Sequence, residues 1–436
     1  MSGFSVQRLL EILESLPTPT RYLLAYSGGR DSHVLVHAMA ALVPRLSAPV
    51  QVIHVHHGLH PDADIWVKHC QSVCNDLGLP LIHCHVNAQP ATGDSPEAAA
   101  RQARYAAFAD QMLAGDMLLT AHHQDDQAET LMLQLLRGAG PQGLAAMPVH
   151  KDFAKGSQLR PLLSFGRAEL ERYAHDQQLT WIHDGSNDEL IYRRNYLRHE
   201  VMPALQRQWP AYNRTLSRSA LLCAEATALL NEMACADLVS IARDEQLSVT
   251  ALLALSPNRQ RNVLRYWCRS RGLPLPAQAH MEQIQGQLCA SQEHTPLIAW
   301  PGAELRRYQD QLFLMTPLAP IDALTVVDWD MESALDFTHG RLSVKKNCVS
   351  GLDATVRDQK IKVCFRQGGE RVELASGQHH PLKKIFQQYH IPPWRRSGLP
   401  LIYVNDELAA VADILVAHRF VAKKGALAIG LDWQII

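Results

Sequence analysis

Over roughly its first 200 residues the chain alternates between short apolar runs of strand character and longer segments of helical periodicity. RYLLAYS (21–27), PVQVIHVHH (49–57), PLIHCHV (80–86) and DMLLTAHH (116–123) are the strand-like runs. Between them lie SHVLVHAMAALV (32–43), ADIWVKHCQSVCNDLG (63–78) and SPEAAARQARYAAFADQML (95–113), which read as helices. Parallel neighbours in a sheet need a long crossover, and a helix after every strand supplies one. The expected fold is therefore α/β, a parallel doubly wound sheet covered by helices on both faces. Ligands of such sheets lie at the carboxyl ends of the strands, where the motifs of this region fall.

The first of them, SGGRDS (27–32), joins a strand to an apolar helix. Gly28 and Gly29 let the backbone turn tightly and approach a ligand. The amides of the turn and of the following helix then face an anion, helped by the helix dipole. Ser27 and Ser32 add hydroxyl donors on either side of Arg30 and Asp31. A carboxylate beside phosphates repels them unless a cation sits between, so Asp31 points to Mg²⁺. No lysine follows the glycines, so the GxxxxGK[ST] phosphate loop is not met.

Three further stretches carry chemistry. In EAAARQARYAAF (97–108), Arg101 and Arg104 are three apart and share a helix face. In AHHQDDQAET (121–130), His122, Asp126 and Glu129 fall at i, i+4 and i+7, one stripe of a helix, with Asp125 beside it. Carboxylates so close repel one another, which is costly unless bound cations occupy the cluster. In DGSNDELIYRRNYLR (184–198), Asp184, Ser186 and Asn187 suit a loop and cap, and Arg194 and Arg198 are four apart next to Arg193. That basic helix end suits an anion. His54, His56, His57 and His60 in HVHHGLHP lack a Cys or carboxylate to complete a tetrahedral metal set.

SGGxDS after the first strand resembles the PP-loop of the N-type ATP pyrophosphatases, a Rossmann-like fold. The series VHHGLHP, EAAARQARYAAF, AHHQDDQAET, LLRGAGPQGL (135–144), RPLL (160–163) and WIHDGSNDELIYRRNYLRHEVMP (181–203) is similar to the tRNA(Ile)-lysidine synthetases. LKKIFQQYHIPPWRR (382–396) is similar to the end domain of their long bacterial forms. The resemblance implies ATP with Mg²⁺, free L-lysine and a tRNA(Ile) with a CAU anticodon. The implied reaction ligates lysine to C2 of the wobble cytidine through an adenylated intermediate, changing AUG reading to AUA. It assigns ATP to Ser27, Gly28, Gly29, Arg30, Asp31, Ser32, His57, Arg101, Arg104 and His122, with Gly58 and Leu59 shaping the pocket. Asp31 is the implied metal ligand, and Asp31, Asp125, Asp126 and Glu129 the catalytic carboxylates. Asp126 and Glu129 hold lysine, with Arg194 and Arg198 as further substrate contacts and Lys383 and Lys384 on tRNA. Gly185 stands where the family pattern implies proline.

The remaining chain is organised differently. SRSALLCAEATALLNEMACADLVSIARDE reads as one long helix, followed by two helical segments and a strand pair around LIAWPGAELRRYQDQLFLM; TPLAPIDA (316–323) leads into short β-like runs. The expected domains are 1–215, a PP-loop ATP-binding catalytic domain; 216–318, mostly helical and substrate-binding; and 319–436, a basic α+β domain. From Arg341 to Lys424 there are 15 Lys and Arg against 7 Asp and Glu, while the rest of the chain carries 27 against 36. A basic surplus interleaved with Phe386, Tyr389 and Trp394 beside Lys383, Lys384, Arg395 and Arg396 fits RNA, because cations neutralise phosphates and aromatics stack bases. Arg366 and Arg371 flank a glycine turn in the same region. Nine cysteines, none spaced CxxC, point to reduced thiols and a cytoplasmic protein without a membrane span. Their spacing weighs against a cluster-dependent cytidine thiolase, and the intact carboxylates weigh against a non-catalytic tRNA-binding protein.

Overall fold

The computed structural model describes residues 3–58, 62–89, 96–288, 296–348, 350–375, 377–423 and 426–435. Leu59, His60, Cys289 and Lys424 lie outside the described residues, as do the side chains of Ser186 and Asn187. The chain forms two compact units, Met1–Glu232 and Met233–Ile436.

The first unit runs α1 (Val6–Glu14), β1 (Tyr22–Ala25), α2 (Arg30–Leu42), β2 (Val50–His56), α3 (Ala63–Asp76), β3 (Leu81–His85), α4 (Pro96–Gln111), β4 (Met117–Leu119), α5 (Gln124–Leu136), α6 (Pro141–Leu144), β5 (His150–Phe153), β6 (Gly156–Leu159), α7 (Arg167–Asp176), α8 (Arg193–Tyr196), α9 (Met202–Gln208) and the first part of α10 (Tyr212–Ile241). Its sheet has the order β3-β2-β1-β4-β6-β5. The first five of these strands pair in parallel, and β5 closes the edge as an antiparallel hairpin with β6. Alternation along β1 sorts the two faces. Tyr22 and Leu24 join Leu9, Leu35, Met39 and Leu170 in one core, while Leu23 packs with Ile53, Phe108, Met112 and Leu118 in the other. Each such side chain contributes about 1.5–3 kcal/mol by leaving water. The β5–β6 hairpin escaped the sequence pattern because HKDF and GSQL are only four residues long and each carries a single large apolar residue, Phe153 and Leu159. Gly156 is required there, since a Cβ would stand 2.0 Å from the Asp116 carbonyl oxygen.

In the second unit, α10 leads to β7 (Ala242–Arg243), β8 (Gln246–Ser248), α11 (Val249–Leu253), α12 (Pro257–Ser270), α13 (Gln278–Leu288), β9 (Leu297–Trp300), β10 (Ala303–Tyr308) and β11 (Gln311–Met315). The expected strand pair is part of a five-stranded antiparallel sheet, β7-β8-β11-β10-β9. Beyond it come β12 (Val326–Asp328), β13 (Leu335–Phe337), β14 (Gly340–Cys348), β15 (Leu352–Asp353), β16 (Ile361–Cys364), β17 (Arg371–Glu373), β18 (His379–Pro381), α14 (Leu382–Gln388), α15 (Pro393–Arg396), β19 (Leu401–Val404), β20 (Glu407–Val411), β21 (Leu415–Val416) and β22 (Ala428–Ile435). These form sheets β12-β16-β19-β20-β21 and β13-β14-β22-β15 with a β17–β18 ribbon. The unit has two apolar cores, one from residues 241–314 and one from residues 329–433. The long helix expected from about residue 215 is α10, which begins at Tyr212 and runs to Ile241.

Candidate active site

The glycine turn is built as its sequence demands. Gly28 has φ +87°, and a Cβ there would stand 2.6 Å from Ile182 Cδ1. Its carbonyl accepts from the Ile182 amide at 3.0 Å, which ties the turn to the loop after α7. Gly29 is the N-cap of α2 and supplies no side-chain cap. The first amides of the helix are thus left for an external anion. Ser27 and Ser32 bracket the turn, their hydroxyl oxygens 3.0 Å apart, with Ser32 Oγ donating to the Gly29 carbonyl at 2.8 Å. Arg30 is engaged by Glu171 and by Asp31, its Nε–H donating to Asp31 Oδ1 at 3.0 Å.

At the end of β4, the expected His122–Asp126–Glu129 stripe does not form. The helix begins only at Gln124, so His122 precedes it and its Nδ1 lies 3.0 Å from Thr120 Oγ1. Burial pushes this imidazole down to about 3, and Arg160, Arg194 and Arg101 reinforce the shift against Asp126. His123, which no spacing pattern singled out, is the N-cap of α5 and is 3% exposed. Its Nε2 lies 3.5 Å from both Asp31 Oδ2 and Asp126 Oδ2. Burial opposes its charge, but Asp126, Asp125 and Asp31 outweigh burial and raise the imidazole to about 10. Against the pull of burial, His123 in turn holds Asp31 and Asp125 below the usual carboxylate range, and with Arg194 it does the same for Asp126.

The acidic cluster is compensated from within the chain. Arg194 donates to Glu129 Oε2 at 2.7 Å and to Asp126 Oδ1 at 2.8 Å. Arg198 donates to Glu129 Oε1 at 2.7 Å and to its Oε2 at 2.9 Å, reaching Asp126 Oδ1 at 3.3 Å. Glu129 is 2% exposed and Asp126 9%. Burial opposes the two guanidinium charges, yet the carboxylates hold both above their ordinary value. The expectation that ligands must supply the cations is therefore corrected: these arginines, four residues apart where α8 passes into a π-helical turn, supply them. Asp125 stands apart, accepting the Arg167 amide at 2.8 Å and the Tyr212 hydroxyl at 3.4 Å.

Arg101 and Arg104 share α4 but face different neighbours. Arg104 Nε donates to His57 Nε2 at 3.3 Å, and burial, then Arg104, pushes His57 down to about 4. Arg101 stacks over the Tyr105 ring at 4.8 Å. Gly185 opens a 3₁₀ turn to Asp188, and a Cβ there would meet nothing within 4 Å. In the second unit, Lys383 and Lys384 are exposed on α14, but the expected stacking platform is largely core. Phe386 is fully buried, Trp394 packs on Phe313 with ring centroids 5.3 Å apart, and Arg396, 8% exposed, donates to the Ile391 carbonyl at 2.8 Å. Arg366 is drawn to Glu370 at 3.3 Å. Tyr389 alone of the three aromatics is exposed, at 53%.

Among the described residues no set of three or more His, Cys, Asp or Glu side chains is arranged to hold a metal ion. Mg²⁺ bound to a nucleotide needs only one or two carboxylates, with phosphates and water completing its shell. Asp31, anionic, 30% exposed and next to the uncapped turn, fits that requirement.

Residues 2–205 match the model of a PP-loop domain, 247–313 a TilS substrate binding domain and 361–433 a TilS substrate C-terminal domain. The tRNA(Ile)-lysidine synthase of Coxiella burnetii is 42% identical over 424 residues, covering 96% of this chain and 94% of that protein. That of Alkalilimnicola ehrlichii is 40% identical, covering 97% and 96%, and that of Serratia proteamaculans 36%, covering 97% and 98%. The chain belongs to the tRNA(Ile)-lysidine synthase family. Membership makes it a ligase that forms a carbon–nitrogen bond and assigns ATP use to the PP-loop domain; neither thiolation nor a purely binding role is favoured. No helix among the described residues is long and apolar enough to cross a membrane. For a lysidine synthase the missed His123 was legible only as the second His of AHH, and Arg160, 3% exposed, as the arginine of RPLL.

Proposed function

We propose that the chain ligates free L-lysine to C2 of the wobble cytidine of a CAU-anticodon tRNA(Ile), consuming ATP, in the cytoplasm. The observation that carries this reading is the link from the uncapped Gly28–Gly29 turn through Asp31 and His123 to Asp126, which joins a phosphate site to a paired acid–arginine cluster. Ser27, Gly28, Gly29 and Ser32 cradle the ATP phosphates, with Arg30 bracing the turn and His57, Arg101, Arg104 and the neutral His122 around it. Asp31 would hold Mg²⁺, which neutralises phosphate charge when bound. The cytidine O2 attacks the α-phosphorus, the bond to the pyrophosphate oxygen breaks, and pyrophosphate leaves. The lysine ε-nitrogen then attacks C2, AMP departs with the former O2, and a carboxylate among Asp125, Asp126 and Glu129 takes the amine proton.

Asp126, Glu129, Arg194 and Arg198 present both signs of charge within one cluster, which suits an amino acid carrying two ammonium groups and a carboxylate. Lysine exchanges one partner of each sign for its own. Lys383 and Lys384 contact the tRNA backbone. A tRNA(Ile) transcript incubated with ATP and labelled lysine should gain the label while AMP and pyrophosphate appear; ADP in their place sinks the reading. Asp31→Ala should lower turnover at least about 100-fold, as removal of one transition-state charge contact does, while tRNA affinity holds. Normal turnover would make Asp31 a helix-end residue only.

A further inference from the structure

A cleft beside the ATP site has lining residues that, Arg101 aside, the reading above does not use. Its volume is about 380 Å³, and Ala98, Arg101, Gln102, Tyr105, Lys151 and Arg160 form its walls. One wall is the first half of α4 and the other the β5–β6 hairpin. Lys151 pairs with Gln158 across that hairpin, and Arg160 follows directly after β6. The cleft thus opens at the carboxyl edge of β4 and β6. From β1, where the glycine turn begins, β6 is two strand spacings away, about 10 Å.

Its chemistry is one-sided. Arg101, Lys151 and Arg160 put three cations around one cavity. The titratable groups that act on Lys151 are Arg160, Tyr105 and Arg101, and those that act on Arg160 are Tyr105 and Arg101; among the described residues no carboxylate stands with them. Burial, then Arg160, lowers the Lys151 ammonium, and burial lowers the Arg160 guanidinium. The guanidinium is nonetheless fixed in place. Arg160 is 3% exposed, its Nη1 donates to the Pro148 carbonyl at 2.7 Å and its Nη2 to Gln158 Oε1 at 3.0 Å. Its Nε is buried with no hydrogen-bond partner. A structural arginine is expected to find a carboxylate; the partners of this one are the Pro148 carbonyl, Gln158 and the Tyr105 hydroxyl, and it lines the cleft beside two other cations. The volume lies within the range of small-ligand pockets, and the exposed Arg101 lies over the Tyr105 ring on its α4 wall.

We propose that this cleft is a phosphate-binding pocket, with Arg101, Lys151 and Arg160 as its ligands and Tyr105 as its wall. Planar guanidiniums and a mobile ammonium are the groups that match phosphate oxygens. The phosphate comes from one of the two polyanions of the proposed reaction, the released pyrophosphate or the RNA backbone next to the reacting base; naming these sources rests on the function proposed above.

The test uses the full chain with Lys151→Glu, Lys151→Arg and, separately, Gln102→Glu. Lys151 and Gln102 are exposed, so both acidic changes alter the charge of the cleft without entering a core, and Gln102→Glu decides the matter if Lys151→Glu fails to fold. Inorganic pyrophosphate binding is measured by calorimetry, and tRNA(Ile) transcript binding over a salt series. Both acidic variants should lose about tenfold or more for one probe, with Lys151→Arg close to wild type. A loss confined to pyrophosphate assigns the leaving group. A loss confined to tRNA, with the salt slope reduced by about one, assigns a backbone phosphate. Unchanged affinity for both probes in the acidic variants overturns the pocket. Lysine transfer by the wild-type chain is assayed alongside: its failure removes the proposed function while leaving the phosphate measurements to decide the cleft.

Discussion

The acid–arginine cluster of the first unit and the basic stretch on α14 and α15 of the second were both read from charge patterns, yet they use charge in opposite ways. In the first, Asp126, Glu129, Arg194 and Arg198 are drawn together until Glu129 keeps 2% of its surface and every charge has a partner within 3.3 Å. In the second, Lys383, Lys384 and Arg395 are exposed, Arg395 with its guanidinium 5.7 Å from the centre of the Phe313 ring, and the residues between them build the interior. A buried pair is costly to break from one side, because the remaining charge is stranded. An exposed cation costs little to remove and acts mainly through screened, long-range attraction. The two regions should therefore fail differently.

The largest effect should come from Glu129→Gln. The amide keeps the volume, but Arg194 and Arg198 are left with one carboxylate between them. Stability should fall by about 3 kcal/mol, read as a shifted denaturant midpoint, and lysine transfer should be lost with it. A variant as stable as wild type would mean that the cluster is loosely solvated, and the contrast between the regions would collapse.

The next test is pH. His123 has a folded pKa of about 10, above the ~6.5 of an unfolded histidine. Its contribution is therefore fully present below pH ~6.5 and is lost as pH rises through about 10. Asp31, Asp125 and Asp126 are depressed, so their contribution holds above pH ~4 and is lost as pH falls through their folded values. His123→Gln should cost about 2 kcal/mol near pH 6, the worth of a charge-assisted hydrogen bond, and the gap to wild type should close toward pH 10. A gap that stays constant from pH 6 to 10 would show that the imidazole is already neutral.

The surface region answers to salt. Lys383, Lys384 and Arg395 changed together to Ala, with the buried Arg396 left in place, should reduce the salt dependence of tRNA binding by about two to three counterions. Melting and ATP binding should stay as in wild type. An unchanged slope would make this patch a solvated face and leave tRNA to other cations.

How far such regions can be read from sequence follows from the same contrast. The parallel sheet was legible because βαβ alternation is a local pattern repeated four times, and Gly28 because a turn at φ +87° has few alternatives to glycine. The cations that neutralise Asp126 and Glu129 were not, since Arg194 lies 65 residues from Glu129 along the chain and only the fold brings them to 2.7 Å. His122 was placed on a helix because spacing alone cannot show that the helix starts two residues later. The β5–β6 hairpin, and Lys151 on it, were not legible because a four-residue run with one apolar residue carries no periodicity. On α14 and α15, composition displayed an RNA-like mixture of Arg, Lys and aromatics but could not tell core from surface.

Tyr389 gives the smallest and most discriminating test of that last point. It caps α14 and is 53% exposed, whereas Trp394, five residues on, packs on Phe313 and Tyr308 and lies beneath the Arg306 guanidinium, 5.3 Å from the ring centre. Both looked like stacking residues in sequence. Trp394→Ala should destabilise the protein by about 3 kcal/mol, as loss of a packed tryptophan does, and any change in tRNA affinity would follow that loss. Tyr389→Ala should leave stability within about 0.5 kcal/mol. If the ring stacks an unpaired base, tRNA affinity falls by about 1–3 kcal/mol with the salt slope unchanged, since stacking releases no counterion. Wild-type affinity in Tyr389→Ala would leave α14 and α15 with charge alone as their means of holding RNA. A shallower salt slope in the same variant would mean that the ring positions Lys383 or Lys384 and does not touch a base.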